Sequence, residues 1–121
     1  MKRILVVDDE ANIRRLYSEE LTDAGYRVAC AASWEEARRA LDREPFDLVT
    51  LDIRLGEGAD GIEALRLIKE LHPGLPVVLV TAYEEYQADF GAWAAEDYVV
   101  KSSDLTELKG RIAQELGETS P

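Results

Sequence analysis

This sequence predicts a doubly wound α/β domain, five β-α units forming a parallel sheet covered by helices on both faces, and two patterns carry that expectation. Short runs of β-branched and aliphatic residues, Ile4-Leu5-Val6-Val7, Leu48-Val49-Thr50-Leu51, Val77-Val78-Leu79-Val80 and Tyr98-Val99-Val100, alternate along the chain with stripes of helical period. Asp8/Asp9, Asp52, Thr81 and Lys101 each stand just after one of those runs. If the runs are parallel strands, these polar residues meet on one sheet edge. That is the carboxyl-terminal edge, where open α/β sheets bind their ligands.

The elements follow in order. Ile13, Leu16, Tyr17, Leu21 and Ala24 make one helical stripe, closed by Gly25, and 26–31 reads as a second strand. Ser33-Trp34-Glu35-Glu36 is a capping-box pattern opening a helix whose stripe holds Trp34, Ala37 and Leu41, with Pro45 just beyond its end. After the third strand, Asp60-Gly61-Ile62-Glu63 again has cap spacing. Ile62, Leu65, Ile68 and Leu71 then recur as a buried helical face until His72-Pro73-Gly74, a surface turn, breaks it. The fourth strand begins after Pro76. A weaker helix is expected over 84–95, where Gly91 costs about 1 kcal/mol relative to alanine. Ser103 or Asp104 can cap a last helix carrying Leu105, Leu108, Ile112 and Leu116 and ending near Gly117, with 118–121 frayed.

A chain of 121 residues makes one domain, 1–121, with its core over about 2–117. Lys and Arg number 14 against 25 Asp and Glu, and the net charge of -11 repels nucleic-acid phosphates and anionic membranes. Direct binding of either is therefore not expected, and the arginine pairs Arg14/Arg15 and Arg38/Arg39 read as solvated helix faces. A single cysteine cannot form an internal disulfide. Cys30 lies in the strand-like run Val28-Ala29-Cys30-Ala31, so a buried, inert thiol in a reducing cytosol is expected. Met1-Lys2-Arg3 leads into an apolar run too short for a signal peptide, and no run approaches membrane-spanning length, which predicts a soluble cytoplasmic protein.

Asp8, Asp9 and Asp52 would gather with no His or Cys close by in the sequence to suit zinc. Clustered carboxylates raise one another's pKa until a cation neutralises them, and hard oxygen donors favour magnesium. Gly56, Gly58 and Gly61 allow the backbone after Asp52 to approach closely, so a main-chain carbonyl near Arg54 could add a ligand. Any one acidic residue after a strand can simply cap the next helix. Five complementary groups at corresponding strand ends are hard to explain by capping alone.

Val6-Val7-Asp8-Asp9-Glu10, Asp52 with Gly61 downstream, Thr81-Ala82 and Asp97-Tyr98-Val99-Val100-Lys101 together resemble the motif set of response-regulator receiver domains of two-component signalling, in order and over essentially the whole chain. The resemblance implies a flavodoxin-like (βα)5 fold with strand order 2-1-3-4-5. It implies Asp52 as phosphoacceptor from a phosphohistidine donor, so a sensor histidine kinase or phosphotransfer protein is the expected partner. Asp9, Asp52 and the Arg54 carbonyl would hold Mg2+ directly, and Asp8 through water. Lys101, Thr81, Ala82 and Arg54 would surround the phosphoryl group, with Thr81 and Tyr98 as the switch pair and Arg54 and Tyr83 flanking the path of an attacking water. Such a domain catalyses only its own phosphotransfer and slow dephosphorylation, and signals to a downstream protein target or a fused output domain.

The chain departs from the family pattern at four places. Ser102 replaces the proline after the lysine, so the Lys101-Ser102 bond is either a strained cis bond or a trans bond in a differently shaped loop. Gly56 replaces another proline in a loop one residue longer than usual. Ala94 stands where a glycine usually closes the helix. Tyr86, Phe90 and Trp93 form an apolar stripe. Such a stripe is more often core than interface; if exposed, it falls on the surface of the fourth helix, fifth strand and fifth helix and could serve a homodimer or a target. A haloacid-dehalogenase-type phosphohydrolase also uses an aspartate and magnesium, but it needs a second aspartate two residues on, where Arg54 stands. A pseudo-receiver is opposed by the intact site set, and flavin-phosphate binding by the acidic first loop.

Overall fold

The fold is described from a computed structural model, which covers residues 1–53, 61–81, 97–102 and 104–118. Several expectations lie outside those residues: Arg54, Gly56, Gly58 and the cap Asp60, Ala82 and Tyr83, the 84–95 helix with Tyr86, Phe90, Gly91, Trp93 and Ala94, and the cap Ser103.

Five strands, β1 (Arg3–Val7), β2 (Arg27–Ala31), β3 (Leu48–Asp52), β4 (Val77–Thr81) and β5 (Asp97–Val100), form one sheet in the order β2-β1-β3-β4-β5. Every neighbouring pair is parallel. Among the described residues the helices are α1 (Ala11–Asp23), α2 (Trp34–Arg43), α3 (Gly61–Leu71) and a C-terminal helix (Thr106–Glu115). Because strand side chains alternate between faces, the apolar runs feed two cores. Leu5, Val7, Val49, Leu51, Val77 and Leu79 pack with Ala37 and Leu41 of α2 and Ala64, Leu65 and Ile68 of α3. Ile4, Val6, Leu48, Val78, Val80 and Val99 pack with Tyr17 and Leu21 of α1 and Leu108 and Ile112 of the C-terminal helix. β3 and β4 are buried along their whole length, as central strands covered on both faces must be.

The helix starts follow local chemistry. Ser33 Oγ accepts the Glu36 N–H at 3.2 Å, while the Glu36 carboxylate accepts the Ala32 N–H at 3.0 Å, a reciprocal cap that reaches one residue further back than the usual box. Asp104 Oδ1 accepts the N–H of Thr106 at 2.9 Å, so it secures the first turn of the C-terminal helix. Gly25 (φ 101) and Gly117 (φ 73) end their segments in the left-handed region that glycine enters freely.

Four expectations are corrected. Leu71 is 51% exposed: it is the last residue of α3, and the buried face of the helix ends at Ile68. Ala24 is exposed, since it is the C-cap of α1 and no longer follows the helical stripe. Cys30 is exposed, not buried: β2 is an edge strand, and the Cys30 thiol faces the Arg14 carbonyl at 3.8 Å. Glu118 is anchored where fraying was expected. Its N–H reaches Ala113 O at 2.7 Å and its carboxylate accepts the Tyr26 hydroxyl at 2.7 Å. Tyr26 itself precedes β2 and turns into the core of α1 and the C-terminal helix. No helix among the described residues is long and apolar enough to cross a membrane.

Candidate functional site

The register of the sheet brings the polar strand ends together. Asp52 is the last residue of β3 and pairs with Val80 of β4, and Thr81, the last of β4, pairs with Val100 of β5. Lys101 follows directly, and its N–H donates to the Thr81 carbonyl at 2.6 Å, which keeps its backbone in line with the ladder. The Lys101–Ser102 bond is trans. Its long stem carries the ammonium back across the edge, to 3.1 Å from Asp52 Oδ2 and 3.0 Å from Asp8 Oδ2. Asp8, Asp52 and Thr81 are all buried, and the Lys101 side chain is 13% exposed.

Asp8 is held from three sides. Its N–H donates to Ala31 O at the end of β2 at 3.1 Å, its carbonyl accepts Arg14 Nη1 at 2.9 Å, and its Oδ1 accepts the Glu10 N–H at 2.9 Å. Burial pushes the Asp8 carboxyl above its ordinary pKa, against the lowering effects of the Glu10 N–H and Lys101. The Lys101 pKa also rises, from a different cause. Burial works against its charge, but the hydrogen bonds and charges of Asp8 and Asp52 outweigh burial and hold the ammonium well above the usual lysine range. Burial thus opposes the charge on both partners, and the contacts between them offset it.

Asp9 is exposed beside this pair. Ligand oxygens of Asp8, Asp9 and Glu10 all lie within 4.8 Å of one another, an oxygen-only donor set that suits a hard divalent cation. On the other side of Asp52, Gly61 brings the start of α3 hard against β3. A Cβ there would lie 2.4 Å from the carbonyl oxygens of Asp52 and Ile53, so only glycine fits without displacing the strand end that carries Asp52. Tyr98 is half-buried on β5 opposite Leu79 and packs against the α2/α3 core.

Of the expected site residues, the structure therefore gathers Asp8, Asp9, Asp52, Thr81 and Lys101 at the sheet edge, and leaves Tyr98 on β5 opposite Leu79, two register positions below Thr81. Two neighbours escaped the sequence reading. Glu10 Oε1 lies 3.4 Å from the Lys101 ammonium, and the unbroken acidic run Asp8-Asp9-Glu10 was its only signal. Arg14, expected on a solvated face, is half-buried and ties down the Asp8 carbonyl. Nothing in its spacing marks that contact, which depends on how α1 leaves β1.

The family model for the response regulator receiver domain matches residues 4–113. The alginate biosynthesis transcriptional regulatory protein AlgB of Pseudomonas aeruginosa is 40% identical over 116 residues, covering 94% of this chain and 26% of AlgB. The transcriptional regulatory protein ZraR of Escherichia coli K12 is 36% identical over 118 residues, covering 96% of this chain and 26% of ZraR. The chain thus spans about a quarter of the length of these curated relatives. Among solved structures, the response regulator TrrA of Thermotoga maritima, in complex with Mg(2+)-BeF, superposes with a TM-score of 0.88 at 43% identity, covering 95% of this chain and 99% of that one. TrrA in complex with the histidine kinase ThkA superposes at 0.87 and 44% identity, covering 96% and 99%.

Proposed function

The chain belongs to the response regulator receiver domain family, and we propose on that premise that it is a phosphorylatable switch in which Asp52 accepts a phosphoryl group from a phosphohistidine. The observation that carries the reading is the Lys101 ammonium held 3.1 Å from Asp52 and 3.0 Å from Asp8 in a buried, acidic cleft at the carboxyl edge of the sheet.

An Asp52 carboxylate oxygen forms the new bond to phosphorus as the bond from phosphorus to the donor imidazole nitrogen breaks. Phosphoryl transfer of this kind passes through a loose transition state and depends on alignment and charge neutralisation. Lys101 supplies one cation: it trades its contact with Asp52 for a phosphoryl oxygen. The Thr81 hydroxyl and the Ala82 N–H bind the phosphoryl group once it is attached, and Tyr98 moves with Thr81. Mg2+, held by Asp9, Asp52 and the Arg54 carbonyl and through water by Asp8, would neutralise the remaining phosphoryl charge. Water later cleaves the acyl phosphate, with Arg54 and Tyr83 beside its path, so the signal is timed.

The partners follow from the relatives. ThkA bound to TrrA supports a histidine kinase as phosphodonor, and the regulators AlgB and ZraR support an output read through a downstream protein or a fused domain. A net charge of -11 opposes direct binding of this domain to nucleic acid or anionic membrane, in keeping with a cytoplasmic switch read by another protein surface. A homodimer through the 84–95 segment, β5 and the C-terminal helix is a further expected readout. Intact mass after incubation with a small-molecule phosphodonor and magnesium tests the central claim. One phosphate is expected on the wild type and none on Asp52→Asn or in chelator, and uptake that survives either change refutes the assignment.

A further inference from the structure

Among the described residues Lys101 has three carboxylate neighbours, and they are not equivalent. Asp8 and Asp52 are buried, at 3.0 and 3.1 Å, whereas the Glu10 side chain, at 3.4 Å, is 61% exposed. A divalent cation entering this cluster competes with the ammonium for Asp8 and Asp52, because two positive charges on the same carboxylates repel at short range. The lysine cannot retreat far. Its N–H is bonded to Thr81 O at 2.6 Å, so only its four-carbon stem is free to swing. Glu10 stands on the exposed side of this cluster, its carboxylate already within contact of the ammonium and within 4.8 Å of the Asp8 and Asp9 oxygens.

From this arrangement we infer that Glu10 is a positioning residue: it receives the Lys101 ammonium when a divalent cation takes over Asp8 and Asp52, and holds it at the rim until phosphoryl oxygens draw it in. The inference rests on the magnesium reading above. It differs from a role for Glu10 as one more metal ligand, because it acts entirely through Lys101.

A double-mutant cycle on the full chain separates the two roles, read as magnesium affinity by calorimetry. Glu10→Gln should weaken magnesium about threefold, the scale of one exposed ion pair. Glu10→Asp keeps the charge beside the cation but shortens the reach to Lys101, and should weaken it about as much. In a Lys101→Ala background, with no ammonium to receive, Glu10→Gln should change the affinity little. An equal loss with and without Lys101, or full affinity in Glu10→Asp beside a loss in Glu10→Gln, overturns the inference in favour of a direct effect on the metal. No loss in any Glu10 variant also overturns it. Should Lys101→Ala not fold, the comparison of Glu10→Asp with Glu10→Gln decides alone. Asp9→Asn is the control. If it weakens binding while Glu10 variants are silent, only this inference falls; if magnesium does not bind the wild type, the metal reading falls with it.

Discussion

Asp8 bears the strain of the site. Its buried carboxyl is pushed above its ordinary pKa chiefly by burial, and one ammonium serves it together with Asp52 and Glu10. Asp8→Asn keeps an oxygen to accept the Glu10 N–H and removes the charge, so in chelator its melting temperature should lie a few degrees above that of the wild type. Thermal unfolding with and without magnesium checks this, and a lower value in chelator would show that the ion pair outweighs burial. Two other buried groups set the alkaline limit. The hydroxyls of Tyr17 and Tyr26 are pushed up to about 12, each mainly by burial, with Glu118 adding to the shift at Tyr26. An unfolded tyrosine ionises near 10, so each contributes stability that is complete below pH 10 and lost as pH rises through about 12. The wild type should therefore lose melting temperature across that window, and Tyr17→Phe/Tyr26→Phe should flatten the loss. At this scale the sequence pointed to Asp8, Asp9, Asp52, Thr81 and Lys101 because each follows an apolar run. It misplaced Cys30 and Arg14, since exposure on an edge strand and a reach to a carbonyl leave no mark in local composition.

Among the elements, the junction of β3 with α3 is the most constrained. The Gly61 N–H donates to Ile53 O at 2.8 Å, and an added Cβ would meet the Asp52 and Ile53 carbonyl oxygens at 2.4 Å. Backbone atoms cannot give way cheaply, so Gly61→Ala must shift either the helix or the strand end that presents Asp52. A loss of about 2 kcal/mol in urea unfolding is expected, together with slower phosphorylation. Gly110→Ala is the contrasting case. A Cβ there meets nothing within 4 Å in the C-terminal helix, and the change should stabilise by about 0.5 to 1 kcal/mol. Equal effects of the two substitutions would refute the steric account. Helix positions were legible from period and caps, as the bond of Ser33 with Glu36 shows, but the N-cap of the C-terminal helix is Leu105, with Asp104 bonding the Thr106 N–H from the residue before it. Element ends were less so: Ala24, Leu71 and Glu118 each lie at a boundary, where one residue decides whether a side chain still faces the core.

For the whole molecule, charge is the governing quantity. A chain of net charge -11 with an acidic cluster at one sheet edge gains from any cation that binds only the folded state. Millimolar magnesium should raise the melting temperature more than sodium chloride at matched ionic strength, and Asp9→Asn should remove much of that difference. Indifference to magnesium would count against a folded-state metal site. Composition, the alternation of two periodicities and the order of the polar strand ends were enough, read from the sequence, to indicate an α/β sheet with an acidic carboxyl edge, because each is a property of neighbours along the chain. The tertiary structure alone decided that Lys101 spans to Asp52, 49 residues away, that Glu10 joins it, and that Arg14 secures Asp8. Those contacts depend on strand register and on the angle at which α1 leaves the sheet, and both arise from packing across two buried faces rather than from any local run of residues.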